Sequence, residues 1–76
     1  MWKFVKSGTE INCKLFGVDI FNYKWIRTGE KVVVLDPLYN QEHEMTVYNV
    51  DIDNEIFTFA TGEFSNGVYG FYINEV

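Results

Sequence analysis

The chain's single imidazole lies between two carboxylates, in Glu42-His43-Glu44. Histidine and acid side by side are the usual material of metal sites, proton shuttles and general base catalysis. The rest of the chain supplies little to complete any of them. It has one cysteine, Cys13, and no second histidine, so the ligand spacings of ordinary zinc sites are not encoded. Read locally, Glu42-His43-Glu44 is a solvated loop whose carboxylates favour the charged imidazole. Cys13 paired with His43 as a nucleophile would bring a strand thiol to a loop imidazole with nothing to orient them. Cys13 therefore reads as a small buried or half-buried hydrophobe.

A second acidic group, Asp51, Asp53, Asn54 and Glu55, has some of the residue types of a calcium loop but not its spacing. Asp51 and Asp53 would serve as an acid and base pair only in a cleft that perturbs one of them, and both fall near a hairpin tip. No phosphate-binding glycine loop, nucleophile elbow or dinucleotide fingerprint is present. The expectation is a domain that binds, without a cofactor or metal, and is not an enzyme.

Charge is the strongest feature. Lys3, Lys6, Lys14, Lys24, Arg27 and Lys31 are all the cations, and only Glu10, Asp19 and Glu30 oppose them in the first 31 residues, a local net of +3. Asp36, Glu42, Glu44, Asp51, Asp53, Glu55, Glu63 and Glu75 follow without one Lys or Arg, giving −8 there and −5 in all. An acidic surface of this kind draws basic proteins and repels nucleic acid. Asp36, Glu42, Glu44, Asp51, Asp53 and Glu55 are the expected contacts, with Tyr39 as an aromatic anchor. The basic protein so bound makes the chain a candidate inhibitor, or an antagonist of the immunity or phage type. The alternative uses the other half: Trp2, Lys3, Lys24, Trp25 and Arg27 mix rings with cations, as binders of single-stranded nucleic acid do. The net charge opposes that alternative. A third use is strand addition to a partner's sheet along Met1–Lys6, where the two lysines would equally serve as edge protection.

These residues must be carried by strands. The chain of 76 residues holds seven Phe, five Tyr and two Trp, with one Pro. That aromatic content excludes disorder and supplies a core to a single small domain. Alternation of period two predicts a strand at Met1–Lys6, a turn at Ser7-Gly8-Thr9 and a strand at Glu10–Phe16 that Gly17 ends. Val18–Ile26 fits neither period and reads as a long loop with some extended structure. Thr28-Gly29-Glu30 reads as a turn into Lys31–Leu35, whose continuous apolar run predicts a strand covered on both faces. Asp36-Pro37 stops it, and Leu38–Glu44 reads as loop.

Asp53-Asn54 suits a two-residue hairpin turn. It would pair Ile52 with Glu55, Val50 with Phe57 and Tyr48 with Phe59 on an apolar face. On the other, mixed face Asp51 meets Ile56, Asn49 meets Thr58 and Val47 meets Ala60. Thr61–Ser65 would then connect to a turn at Asn66-Gly67 and a last strand, Val68–Ile73. The expected fold is all-β, with five or six short antiparallel strands of roughly 5–7 residues forming a small barrel or rolled sheet and little or no helix.

Ile26-Arg27-Thr28-Gly29-Glu30-Lys31-Val32-Val33-Val34 resembles the turn and second strand of Src-homology-three-like barrels. Gly67-Val68-Tyr69-Gly70-Phe71-Tyr72-Ile73 is similar to their closing strand. The resemblance covers about half the chain and implies the barrel architecture. It implies no peptide groove, because residues 36–60 hold no paired tryptophans and no Pro precedes the closing segment.

A lone cysteine and the lack of an apolar leader or of a membrane-length apolar run lead to the expectation of a cytoplasmic protein away from membranes. Nothing in the residues specifies an oligomeric state.

Overall fold

The computed structural model describes residues 1–9, 14–15 and 18–75. It is all-β. Strands β1 (Trp2–Gly8), β4 (Trp25–Leu35), β5 (Glu42–Ile52), β6 (Glu55–Ser65) and β7 (Val68–Asn74) form one antiparallel sheet in the order β1-β7-β6-β5-β4. Short strands β2 (Lys14–Leu15) and β3 (Val18–Asp19) pair with each other, and a 3₁₀ turn follows at Ile20–Asn22. The sheet rolls without closing, so β1 and β4 are its edges. The expected barrel or rolled sheet is thus an open roll.

The β5–β6 hairpin has the expected register throughout, from Ile52 opposite Glu55 to Val47 opposite Ala60. Asp53 and Asn54 take φ of 53° and 69°, the left-handed pair that a two-residue turn needs to match strand twist. The Asn66-Gly67 turn before β7 forms in the same way, with φ of 32° and 79°.

The strands are longer than the sequence suggests, because segments that read as turns are bulges. Thr28-Gly29-Glu30 lies inside β4, where the register with β5 shifts between Arg27 and Lys31. Gly29 takes φ of 86° there, so the chain kinks and continues instead of reversing. Thr61–Ser65 likewise belongs to β6, with a register shift between Glu63 and Ser65 against β7. Ser7 and Gly8 continue β1. Leu38–Glu44 is loop only to Gln41, since β5 begins at Glu42. Val18–Ile26 divides into β3, the 3₁₀ turn and the start of β4. The expected strand Glu10–Phe16 falls mostly outside the described residues, as do Gly17 and the reading of Cys13 as a buried hydrophobe.

Both faces of the rolled sheet carry a core. On the first face Val50, Ile52, Phe59 and Phe71 are buried beneath Ile20, with Val5, Tyr23, Trp25, Phe57 and Ile73 around them. On the second, Val34, Met45, Ala60 and Tyr72 are buried against Trp2, Phe4, Val32 and Phe64. Lys31–Leu35 is not covered on both faces. It lies on the edge strand, so Val34 is buried while Val33 and Leu35 stay 62% and 55% exposed.

Candidate functional site

The acidic residues expected to form one contact surface are separated. Glu42 and Glu44 start β5, whereas Asp51 ends it and Asp53 and Glu55 surround the hairpin turn. Glu44 and Asp51 are seven residues apart, roughly 24 Å along an extended strand. Glu44 also pairs with Lys31 at 3.3 Å, an exposed contact worth about 0–1 kcal/mol. Asp51, Asp53 and Glu55 are exposed, and no described residue pairs with them as a cation. A concavity of about 450 Å³ is lined by Ile52, Asp53, Glu55 and Phe57, while Asp51, opposite Ile56, faces the other side of the hairpin. Ile52 is buried and Phe57 half-buried, so the depression has an apolar floor and a carboxylate rim.

Asp36 is fully buried, which removes it from any contacting surface. Its position follows from the loop it begins. Carboxylate Oδ1 accepts from the Leu38 N–H at 2.7 Å and the Tyr39 N–H at 3.4 Å. The backbone closes around it, with Asp36 N–H donating to the Gln41 carbonyl at 2.7 Å and Asn40 N–H to the Asp36 carbonyl at 2.8 Å. This is the Asx arrangement that Asp favours in turns. Its outcome is a six-residue loop that leaves Tyr39 68% exposed.

His43 is not in a solvated loop. It lies on β5 opposite Val34, and its side chain is only 14% exposed. Strand alternation places it with Met45 and Val47 on the second face. Its Nε2 is 3.4 Å from Asp36 Oδ2, and its ring is 4.7 Å from that of Phe64. Tyr72 completes this buried group by donating from Oη to the Leu35 carbonyl at 2.9 Å. No local signal marked the group, but the alternation Val47, Met45, His43 extended backwards from the hairpin would have found it.

Burial, then the neighbouring Asp36 charge, pushes the Tyr72 hydroxyl up to about 12 from its ordinary 10.0. The folded state therefore holds this proton where the unfolded chain has released it. Its stabilising contribution is complete below pH 10 and is lost as the pH rises from 10 to about 12. Tyr72→Phe is expected to lose about 1 kcal/mol at neutral pH with the Leu35 hydrogen bond. It should also lose stability less steeply than the parent over that alkaline window. Urea melts at both pH values check this, and equal alkaline slopes would exclude it.

The residues of the nucleic-acid alternative are divided between the two edges. Lys3 and Arg27 lie on opposite edge strands of one row through Ile73, Phe59 and Tyr48, four strand spacings or roughly 19 Å apart measured along the rolled sheet. Lys3 pairs with Glu75 at 3.5 Å. Lys24 and Arg27 are exposed, but Trp2 and Trp25 are half-buried. Trp25 stacks on Phe21 at 5.0 Å and on Phe59 at 5.3 Å, with Tyr48 and Phe71 also in contact. Its Nε1–H donates to the Ile20 carbonyl at 3.0 Å. An indole so engaged offers little free face to a base.

Among the described residues no group of three or more His, Cys, Asp or Glu converges as a metal centre, and no helix is long and apolar enough to cross a membrane. No protein-family model, curated protein or solved structure matches the chain.

Proposed function

We propose that this is a non-enzymatic interaction domain whose β5–β6 hairpin end receives a basic surface of a partner protein. The observation that carries the reading is Asp53 and Glu55, unpaired with any cation among the described residues, lining the concavity floored by Ile52 and Phe57, with Asp51 adding charge from the opposite face of the same hairpin end. A lysine or arginine stem can lie on that apolar floor while its head meets the carboxylates. Long-range attraction from the net charge of −5 would speed the encounter. Glu42 and Glu44 would contribute field but not contact. Covering a basic site on another protein is how an inhibitor or antagonist would use such an end.

The test compares the chain with Asp51→Asn/Asp53→Asn/Glu55→Gln and with Glu42→Gln/Glu44→Gln. Asn keeps the left-handed preference of the turn, so the triple variant preserves the hairpin. Capture from host lysate at low and high salt should retain a basic protein on the parent and on the Glu42/Glu44 variant. The triple variant should bind it at least tenfold more weakly. Equal capture by the triple variant would overturn the proposal, as would recovery of nucleic acid in place of protein.

A further inference from the structure

The outer edge of β4 carries free backbone groups over Lys31–Leu35. The Asp36 N–H donates to the Gln41 carbonyl, which makes these two a hydrogen-bonded pair of the ladder that sets Leu35 opposite Glu42 and Val34 opposite His43. Antiparallel pairing alternates, so Val34 and Val32 turn their backbone groups to β5 while Leu35, Val33 and Lys31 turn theirs outward. In keeping with that, the Leu35 carbonyl is available to the Tyr72 hydroxyl. No described strand pairs with the remaining outward groups.

The two faces beside this edge differ. Val32 is half-buried and Val34 buried, both in the second core with Trp2 and Phe4. A strand added here would set alternate side chains next to them, where aliphatic groups extend the core. On the opposite face Val33 and Leu35 are exposed, and Glu44 and Glu42 stand beside them on β5. Glu44 holds Lys31, and Glu42 pairs with no cation among the described residues. Side chains of an added strand on this face would lie against Val33 and Leu35, two strand spacings or roughly 10 Å from the glutamates. Lysine or arginine suits that position, its stem covering Val33 or Leu35 and its head meeting a carboxylate. The net charge of −5 favours the same choice.

We propose that Lys31–Leu35 is a docking edge for an extended segment of another protein that alternates aliphatic and basic residues and adds to the sheet as a further strand. The other edge, β1, is less suited. A register shift between Phe4 and Lys6 interrupts it, and Lys3 and the N-terminal amine are tied to Glu75 and Asn74. The docking edge is independent of the acidic hairpin end, which lies at the opposite end of β5.

The experiment titrates a capped peptide alternating valine and lysine into the isotope-labelled chain, against a counterpart alternating valine and glutamate. The lysine peptide should shift the Lys31, Val33 and Leu35 amide signals in NMR spectra and slow their hydrogen exchange. The glutamate peptide should bind at least tenfold more weakly. Val33→Pro removes one outward N–H without breaking a bond to β5, and should weaken binding at least tenfold. Glu42→Gln/Glu44→Gln changes exposed side chains alone; it should weaken binding at least threefold, and it decides the matter if Val33→Pro does not fold. Asp51→Asn/Asp53→Asn/Glu55→Gln should bind the peptide as the parent does, which separates this edge from the hairpin end. No binding, equal binding of the two peptides, parental affinity in folded Val33→Pro or in Glu42→Gln/Glu44→Gln, loss of binding in the hairpin variant, or protection on β1 instead would each overturn the proposal. So would a dimer of the chain alone in sedimentation that protects the same amides, which would give the edge to a second copy.

Discussion

Gly70→Ala is expected to lower stability by about 1–2 kcal/mol, part of the worth of a fully buried phenylalanine side chain, because Phe64 is half-buried. A Cβ at residue 70 would overlap Phe64 Cζ and Cε1. The ring rests directly on the glycine backbone, so it must leave. Phe64 lies in the second core on the same face of β6 as Ala60, beside the register shift between Glu63 and Ser65. Its departure would uncover Tyr72 and the face of His43, whose rings lie 6.4 Å and 4.7 Å away. A domain of this size has a total stability near the low end of about 5–15 kcal/mol, so the loss is a large share. The double mutant with Phe64→Ala separates this cause from others. Once the ring is gone the new methyl has room, so Gly70→Ala should cost under about 0.5 kcal/mol in that background. Urea denaturation of the four chains measures the coupling. Equal costs in both backgrounds would show that the Phe64 contact is not the cause.

How far such contacts could be anticipated differs from one element to the next. The Asp53-Asn54 hairpin was legible to the residue, because two left-handed corners and an apolar alternation fix one register between them. Thr28-Gly29-Glu30 and Thr61–Ser65 were not, since glycine among polar residues marks a turn and a bulge alike, and only the partner strand decides between them. That ambiguity shortened the expected strands. It also hid the edge position of Val32–Leu35, where an apolar run reads the same whether one face is covered or two. The acidic residues were legible as charges but not as a surface. Their division between the two ends of β5 depends on strand length, and the burial of Asp36 depends on backbone donors from its own loop. His43 was misplaced for a related reason. Its flanking glutamates point to the opposite face, and they disguised a half-buried strand position as a charged loop.

Trp25→Ala should have the largest effect of any single substitution considered, about 3–5 kcal/mol, the usual cost of deleting a core tryptophan. Trp25 touches Phe21, Tyr48, Phe59 and Phe71 at once, and its Nε1–H holds the Ile20 carbonyl. Ile20 covers Val50, Ile52, Phe59 and Phe71, so the indole fastens the short segment that closes the first core. Its removal opens a cavity and releases that segment together, and the loss approaches the whole stability of a small domain. The variant should be largely unfolded at 25 °C or melt far below the parent in circular dichroism. Trp25→Phe keeps a ring in place and should forfeit about 1 kcal/mol with the hydrogen bond, plus part of the packing. Trp2→Ala provides the contrast at the opposite edge, where one half-buried ring packs on the second core and the cost should be smaller. A folded, cooperative Trp25→Ala chain within 1 kcal/mol of the parent would show that residues 20–23 hold their place without it. That result would return the indole to the set of side chains free to stack on a ligand.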